Sequence, residues 1–272
     1  VCSSDLVRSD AYAGAAIARL CREARDEPMT PVDRATWPYY PRFIDLGVVR
    51  LPERAAMLRI ATRSVPFHLV ERVCLPSNAL DGEMQRLFAS SGFEGILVPA
   101  GTGWVAFNEL RAPLRVFSVV SCQVMDANDM ETLCRIETLR ELRISNPASM
   151  CPLTPLSRSR VEKLVVNAFT AFLDRQTLAH DRFPAFSLRH IEFRGPATGV
   201  ADTIWGLIAS FAPNVEFLAV ENFNRVRGRG VSALHNCRKL ETLSVARCSF
   251  EEENLVGINA IVTLRTLALE GT

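Results

Sequence analysis

One pattern of apolar positions recurs along most of the chain. It is clearest between Leu240 and Phe250, where the sequence reads L-x-x-L-x-L-x-x-C-x-F. Nine units share apolar first, fourth and sixth positions, and successive units start 21 to 27 residues apart. They start at Val70, Phe93, Leu114, Leu139, Val161, Leu188, Val215, Leu240 and Leu264. All 27 of these positions hold Leu, Ile, Val or Phe, far more than a chain with 48% hydrophobic residues gives by chance.

The spacing within each unit predicts a short strand followed by a return segment. Positions four and six alternate with outward-facing positions, as a strand requires, and both are expected to be buried. The return segment brings the chain back beside its own strand, so the strands should pair in parallel and each unit should bury its neighbour's apolar edge. Residues 201–211 have helical apolar spacing, and residues 130–136 and 231–237 are shorter versions of the same pattern.

These residues resemble the leucine-rich repeat family, nearest to its cysteine-containing and ribonuclease-inhibitor-like subtypes. The run L-x-x-C-x-x-L-x-x-L-x-V-x-x-C from Leu234 to Cys248 carries the subtype resemblance. The family implies an α/β solenoid, a horseshoe with a parallel concave sheet and a helical or irregular convex side. At position nine, which the family fills with Asn or Cys, only Asn78, Cys122 and Cys248 fit. An irregular horseshoe is therefore expected.

The pattern divides the chain into three parts. Residues 1–6 resemble a translated sequencing-adapter end and are a suspected non-native artefact, the alternative being a native start. Residues 7–66 are predicted to form a helical N-terminal cap, with helices at 9–27 and from Pro52. Residues 67–272 form the array of about nine units. No polar capping unit follows the last strand, so the array is predicted to be truncated at the C-terminus and to self-associate through its uncapped edge.

Composition narrows the partners and the compartment. With 31 basic and 30 acidic residues, the net charge is +1, so neither a specific nucleic acid nor a membrane is an expected partner. No apolar run is long enough to cross a bilayer. The eight cysteines have no C-x-x-C or zinc spacing. We expect reduced core thiols, with Cys122 and Cys248 buried and no disulfide, in an intracellular (cytoplasmic or nuclear) protein.

No motif indicates catalysis. Gly101-Thr102-Gly103 lacks the Lys-Ser/Thr of a phosphate loop, and His180-Asp181 belongs to no triad pattern. We therefore predict no catalytic, cofactor-binding or metal-binding residues. Arg225, Arg227 and Arg229 alternate with flexible residues before the helical segment at Val231. They are a candidate anion contact through backbone N–H groups, and a solvated connecting loop is the alternative.

The sequence predicts a non-catalytic protein–protein interaction module. Positions three, five and seven of each unit should face the concave side of the sheet, where charge and one aromatic residue concentrate in the middle units. The predicted partner-binding residues are Glu141, Arg143, Lys163, His190, Glu192, Arg194, Phe217 and Glu221. Merely solvated strand faces remain the alternative. A second function is the substrate-recognition subunit of an F-box-type ubiquitin ligase, because Leu51-Pro52-Glu53 resembles the opening of an F-box.

Overall fold

The computed structural model describes nine stretches of the chain and divides it into two compact units. The units are Val1–Ser118 and Val119–Thr272. The described residues are 43–45, 72–75, 82–98, 104–111, 113–120, 125–145, 153–167, 184–195 and 202–271. The suspected artefact, the two predicted cap helices, the F-box-like tripeptide and the predicted boundaries at 6/7 and 66/67 lie outside these residues.

The first unit contains three parallel strands in chain order: β1 (Phe43–Asp45), β2 (Arg72–Cys74) and β3 (Gly95–Val98). Between β2 and β3 lies helix α1 (Gly82–Ser90), and a 3-10 helix (Phe107–Glu109) follows β3. Strand β4 (Val116–Val120) spans the sequence boundary of the two units. The pairing of β1 with β2 adds a strand in the region for which only helices are predicted.

The second unit contains six further strands, and a helical return segment is described before each of them except β7. Its parallel strands are β5 (Glu141–Ser145), β6 (Lys163–Asn167), β7 (His190–Arg194), β8 (Phe217–Glu221), β9 (Thr242–Ala246) and β10 (Thr266–Glu270). Its return segments contain α2 (Ala127–Cys134), α3 (Thr203–Phe211) and 3-10 helices at Thr154–Arg158, Val231–Asn236 and Glu252–Ala260. All nine predicted strands are present, each beginning two residues after its unit start. The fold is the expected α/β solenoid.

The repeat's apolar positions form the core. Positions four and six are at most 2% exposed in every unit from β2 to β9, which confirms the prediction for those units. They are matched across neighbouring strands, as in the register Ile191–Leu218–Leu243. Burial stops at β10, where Leu267 is 42% and Leu269 is 37% exposed. No described helix is both long and apolar enough to cross a membrane.

The return segments bury the apolar face that their spacing predicts. In α3, the side chains of Ile204, Ile208 and Phe211 are buried, and Trp205 is buried with them. Helix α2 begins with a capping box, because Asp126 accepts the N–H of Asp129 while the Asp129 carboxylate accepts that of Asp126. The segment from Val231 is helical as expected but takes the tighter 3-10 form.

The ninth position points into the core in the two units where the structure describes it, one of which departs from the family pattern. Phe223 is fully buried, and Cys248 is buried with its Sγ 3.7 Å from the carbonyl oxygen of Val220. Cys134, Cys237 and Cys248 are free thiols, and burial raises the pKa of Cys134 and of Cys237 to about 12. Such thiols stay protonated and chemically inert. The predicted burial of Cys248 is confirmed, whereas Cys122 lies outside the described residues.

Candidate functional site

The candidate site is the sheet face opposite the core on β5–β10, here called the outer sheet face. The strand period of two places positions three, five and seven on it. Strand register aligns these positions in rows across the sheet, for example Glu141–Lys163–His190–Phe217 at position three. All eight residues predicted from sequence to bind a partner lie on β5–β8 of this face. The repeat pattern therefore explains why these residues share a face, but it does not explain which of them contact each other.

Glu192, in the middle of β7, is the centre of these contacts. Its Oε1 lies 2.6 Å from Nε2 of His190 and 3.1 Å from Nζ of Lys163, and its Oε2 lies 2.5 Å from Nη2 of Arg194. Three neighbouring side chains therefore converge on one carboxylate whose side chain is only 11% exposed. This geometry holds Lys163, His190 and Arg194 in fixed orientations.

The network continues to both sides of Glu192. Towards β5, Lys163 lies 3.9 Å from Glu141, which also binds Arg143 at 2.6 Å. Towards β9, Glu221 lies 3.7 Å from Arg194 and 3.6 Å from Arg247. Four cations and three carboxylates thus alternate from β5 to Arg247, the residue after β9. Because the outer pairs are exposed, each contributes little to stability, but together they leave the surface nearly neutral.

The ionisation of the pair at the centre is set by burial and by the neighbouring charges. Burial by itself raises the pKa of Glu192, but hydrogen bonds from His190 and Lys163, with the charges of Lys163 and Arg194, outweigh it and lower the pKa to about 2. Burial lowers the pKa of His190, which outweighs the hydrogen bond to Glu192. At neutral pH a neutral imidazole therefore donates its Nε2–H to an ionised carboxylate.

Phe217 is the aromatic residue of the outer sheet face. It is registered opposite His190, and the two rings stack with their centroids 4.2 Å apart and their planes within 6°. Since His190 is itself held by Glu192, the phenyl ring rests on a fixed support. Phe217 is only half-buried, so part of its ring remains available for contact.

Beyond Phe217 the side chains at positions three and five of the outer sheet face are small. Position five is Ala219 on β8, Ser244 on β9 and Ala268 on β10, and position three is Thr242 and Thr266 on the last two strands. These residues are not among the sequence-based site predictions. The signal was present, because small residues follow one another at position five of the last three units. Thr242 is registered opposite Phe217, so small side chains flank its ring on the side of β9.

A second set of charges that the predictions omit lies at position two, just before each strand. This position is charged in all nine units. In the second unit Arg140 lies 3.3 Å from Glu162, Arg189 lies 3.6 Å from Glu216, and Arg265 lies 3.7 Å from Glu241. Each pair joins two neighbouring repeats along one edge of the strands. We refer to these pairs as the position-two ladder.

The arginine segment predicted as an anion contact binds carboxylates of this chain. The backbone N–H groups of Arg227 and Gly228 both donate to Oδ1 of Asp202 at 2.8 Å. The guanidinium groups of Arg227 and Arg229 lie 3.5 and 3.6 Å from Glu251. Arg225 is exposed. Asp202 thus occupies the N–H groups of Arg227 and Gly228, and contact of the segment with an external anion stays a prediction.

Asp202→Ala is expected to loosen this segment. Removing the carboxylate leaves the N–H groups of Arg227 and Gly228 without their acceptor, which should lower the free energy of unfolding by about 1 kcal/mol. Asp202→Asn is the matched control, because its amide oxygen still accepts both bonds. Amide hydrogen exchange at Arg227 and Gly228 checks the local effect, and equal exchange in both variants would contradict it.

Among the described residues, no three His, Cys, Asp or Glu side chains are placed to hold a metal ion. No family model and no curated protein matches the chain. The crystal structure of internalin C2 from Listeria monocytogenes is similar over 68% of this chain and 82% of that chain, with a TM-score of 0.40 and 11% sequence identity.

Proposed function

We propose that this chain is a non-catalytic interaction module that binds a partner protein through the outer sheet face. The observation that carries the proposal is Phe217, an accessible aromatic ring that stacks on His190 and lies beside small side chains. Aromatic side chains in such settings dominate the energy of many protein interfaces. The network around Glu192 supplies the surrounding polar rim.

Preorganisation supports the same proposal. Ordering a long charged side chain on binding costs about 0.5–1.5 kcal/mol. Lys163, His190 and Arg194 are already held by Glu192, so a partner would meet side chains that have lost much of this freedom. The near balance of charge favours a partner surface that combines an apolar contact for Phe217 with mixed polar groups, rather than a uniformly charged ligand.

The proposal also covers the class of partner, the cellular compartment and the repeat subtype. The partner is a protein rather than a nucleic acid or a membrane, and the module has no cofactor. The chain works in a reducing intracellular compartment, which the buried free thiols of Cys134, Cys237 and Cys248 favour. The cysteine-containing repeat subtype is supported by the burial of Cys237 and Cys248 on either side of β9. No described residue bears on the F-box alternative.

Site-specific photo-crosslinking tests the proposal. Phe217 is replaced by p-benzoylphenylalanine, and the variant is irradiated in an extract of the source organism. Phe186 provides the matched control, because it is an exposed phenylalanine that lies in the turn before β7 and not on the outer sheet face. We expect a discrete protein adduct from position 217 that position 186 does not give.

The captured protein is then purified and its affinity measured. Phe217→Ala should weaken binding about tenfold or more, as is typical of an aromatic anchor, while Phe186→Ala should leave it unchanged. Absence of an adduct at position 217, the same adducts at both positions, or equal affinities of the two alanine variants would each rule out binding through the outer sheet face.

A further inference from the structure

Position eight of the repeat, the residue that follows the last strand position on the outer sheet face, holds one exceptional side chain. Eight of the nine units carry Gly, Ala, Ser or Asn there, and the unit that starts at Leu240 carries Arg247. The eight others are Ser77, Ala100, Ser121, Asn146, Ala168, Gly195, Asn222 and Gly271. Arg247 is therefore the one long and charged side chain at this position of the repeat.

The backbone of the last three units favours a small residue at position eight. Its φ is positive in each of them, 64° at Asn222, 51° at Arg247 and 59° at Gly271. Glycine adopts this left-handed conformation freely and asparagine adopts it more readily than other residues, whereas most L side chains lose stability in it. Arg247 thus stands where the fold alone favours glycine or asparagine.

The ion pair of Arg247 does little to offset that loss. Its side chain is 68% exposed, and its Nη1 lies 3.6 Å from Oε1 of Glu221, which is longer than a hydrogen bond. Exposed ion pairs of this kind contribute little to stability. Glu221 also has a second cation, because Nε of Arg194 lies 3.7 Å from its Oε2. Stability therefore does not account for an arginine at position 247.

Arg247 lies at one end of the charge network that crosses the outer sheet face. Four cations and three carboxylates alternate in that network, so one cation is in excess. At the other end Arg143 lies 2.6 Å from Glu141, whereas Arg247 shares Glu221 with Arg194 at a longer distance. The N–H donors of an arginine pair most strongly with an oxygen anion. The exposed guanidinium of Arg247 is therefore placed to accept one from outside the chain.

We propose that Arg247 binds a carboxylate side chain of the partner protein and thereby determines which partners the outer sheet face accepts. Arg247 then belongs to the same interface as Phe217, so the proposal rests on the function proposed above. Thr242 is registered opposite Phe217, and Arg247 follows it by five positions, about 16 Å along a strand. An interface of ordinary size spans both residues.

The partner thus presents an apolar side chain to Phe217 and, at that separation, an Asp or Glu side chain to Arg247. The single excess cation of the network matches one carboxylate better than a phosphate group, which carries nearly two negative charges at neutral pH. A phosphate would also meet more repulsion from Glu221, which lies beside Arg247.

Arg247→Asn tests the proposal in two ways. Asparagine suits the left-handed backbone, as Asn222 does one unit earlier, so the variant should melt at a higher temperature than the unmodified chain. It should also weaken binding of the protein captured at position 217 about tenfold or more. Arg265→Asn is the matched control, because Arg265 forms a similarly exposed pair, 3.7 Å from Glu241, in the position-two ladder. It should leave the affinity unchanged.

Charge reversal and salt identify the group that Arg247 binds. Arg247→Glu should weaken binding further than Arg247→Asn, because it sets two carboxylates against each other. The affinity of the unmodified chain should fall as the salt concentration rises from about 50 to about 500 mM, and Arg247→Asn should flatten that dependence. An uncharged contact would instead give equal losses in the two variants and no change in the salt dependence.

The outcomes separate this role of Arg247 from the proposed function. Absence of a protein adduct at position 217 overturns both. Binding that is weakened by Phe217→Ala but unchanged by Arg247→Asn overturns the role of Arg247 alone, as do equal losses in Arg247→Asn and Arg265→Asn. A melting temperature of Arg247→Asn below that of the unmodified chain also overturns it, because Arg247 would then serve to stabilise the fold.

Discussion

Leu243→Ala is expected to lower the free energy of unfolding by about 2–5 kcal/mol, the range for a fully buried leucine. Leu243 occupies position four of its unit and has no exposed surface, since it packs between the neighbouring repeats. Leu267 occupies the same position one strand further and is registered directly opposite it, but 42% of it is exposed. Leu267→Ala should therefore cost less than half as much.

Leu243 and Leu267 share residue type and repeat position, so the difference between the two losses of stability reports the effect of burial. Chemical denaturation of both variants under dilute conditions, with the unfolding slope checked against the unmodified chain, gives the two differences. Equal losses of stability would mean that Leu267 is covered in solution. Measurement at increasing protein concentration would then show whether a second copy provides the cover.

Glu192→Ala is expected to have the second largest effect, a loss of roughly 2–3 kcal/mol at neutral pH. The folded protein lowers the pKa of Glu192 from 4.5 to about 2, so the ionised carboxylate stabilises the fold by an amount of this order. Removing it also leaves Lys163 and Arg194 facing each other without the carboxylate between them. Glu241→Gln, at an exposed pair with Arg265, should stay within about 0.5 kcal/mol and serves as the control.

The same carboxylate predicts a pH dependence. Its folded-state pKa lies below the ordinary value, so its stabilisation is fully present above about pH 4.5 and is lost as the pH falls towards 2. The lowered pKa of His190 acts in the same direction, because folding disfavours its protonation. Glu192→Gln should flatten the curve of unfolding free energy against pH in the acid range. An unchanged slope would contradict the role of Glu192.

The strand positions could be predicted because each depends on a local apolar pattern. Leu142, Leu164 and Ile191 are buried by the same spacing that identified their units. Strand β1 escaped the pattern for an equally local reason. Its unit would start at Pro41, which is not one of the apolar residues that mark the other starts, although Ile44 follows at position four.

The sequence predicts on which face of the sheet the candidate site residues lie, but it does not predict which of their side chains touch. The strand period places His190, Glu192 and Phe217 on one side. The stacking of His190 on Phe217 and the contact of Lys163 with Glu192, however, join side chains of neighbouring units, which lie 27 and 29 residues apart in the sequence. The arginine segment shows the same limit. Its backbone was expected to attract an anion, while its partner, Asp202, lies one repeat earlier.

The position-two ladder constrains how an array of this kind can change in length. In the second unit the signs run Arg140, Glu162, Arg189, Glu216, Glu241, Arg265, so opposite charges join the repeats two by two. Glu216 and Glu241 already set two like charges side by side at the junction between two pairs. Duplicating a single repeat would add one such junction and leave one charge without its opposite, whereas duplicating a matched pair would preserve every contact. The constraint is weak, because each exposed pair contributes little to stability, and it favours gain or loss of repeats in even numbers.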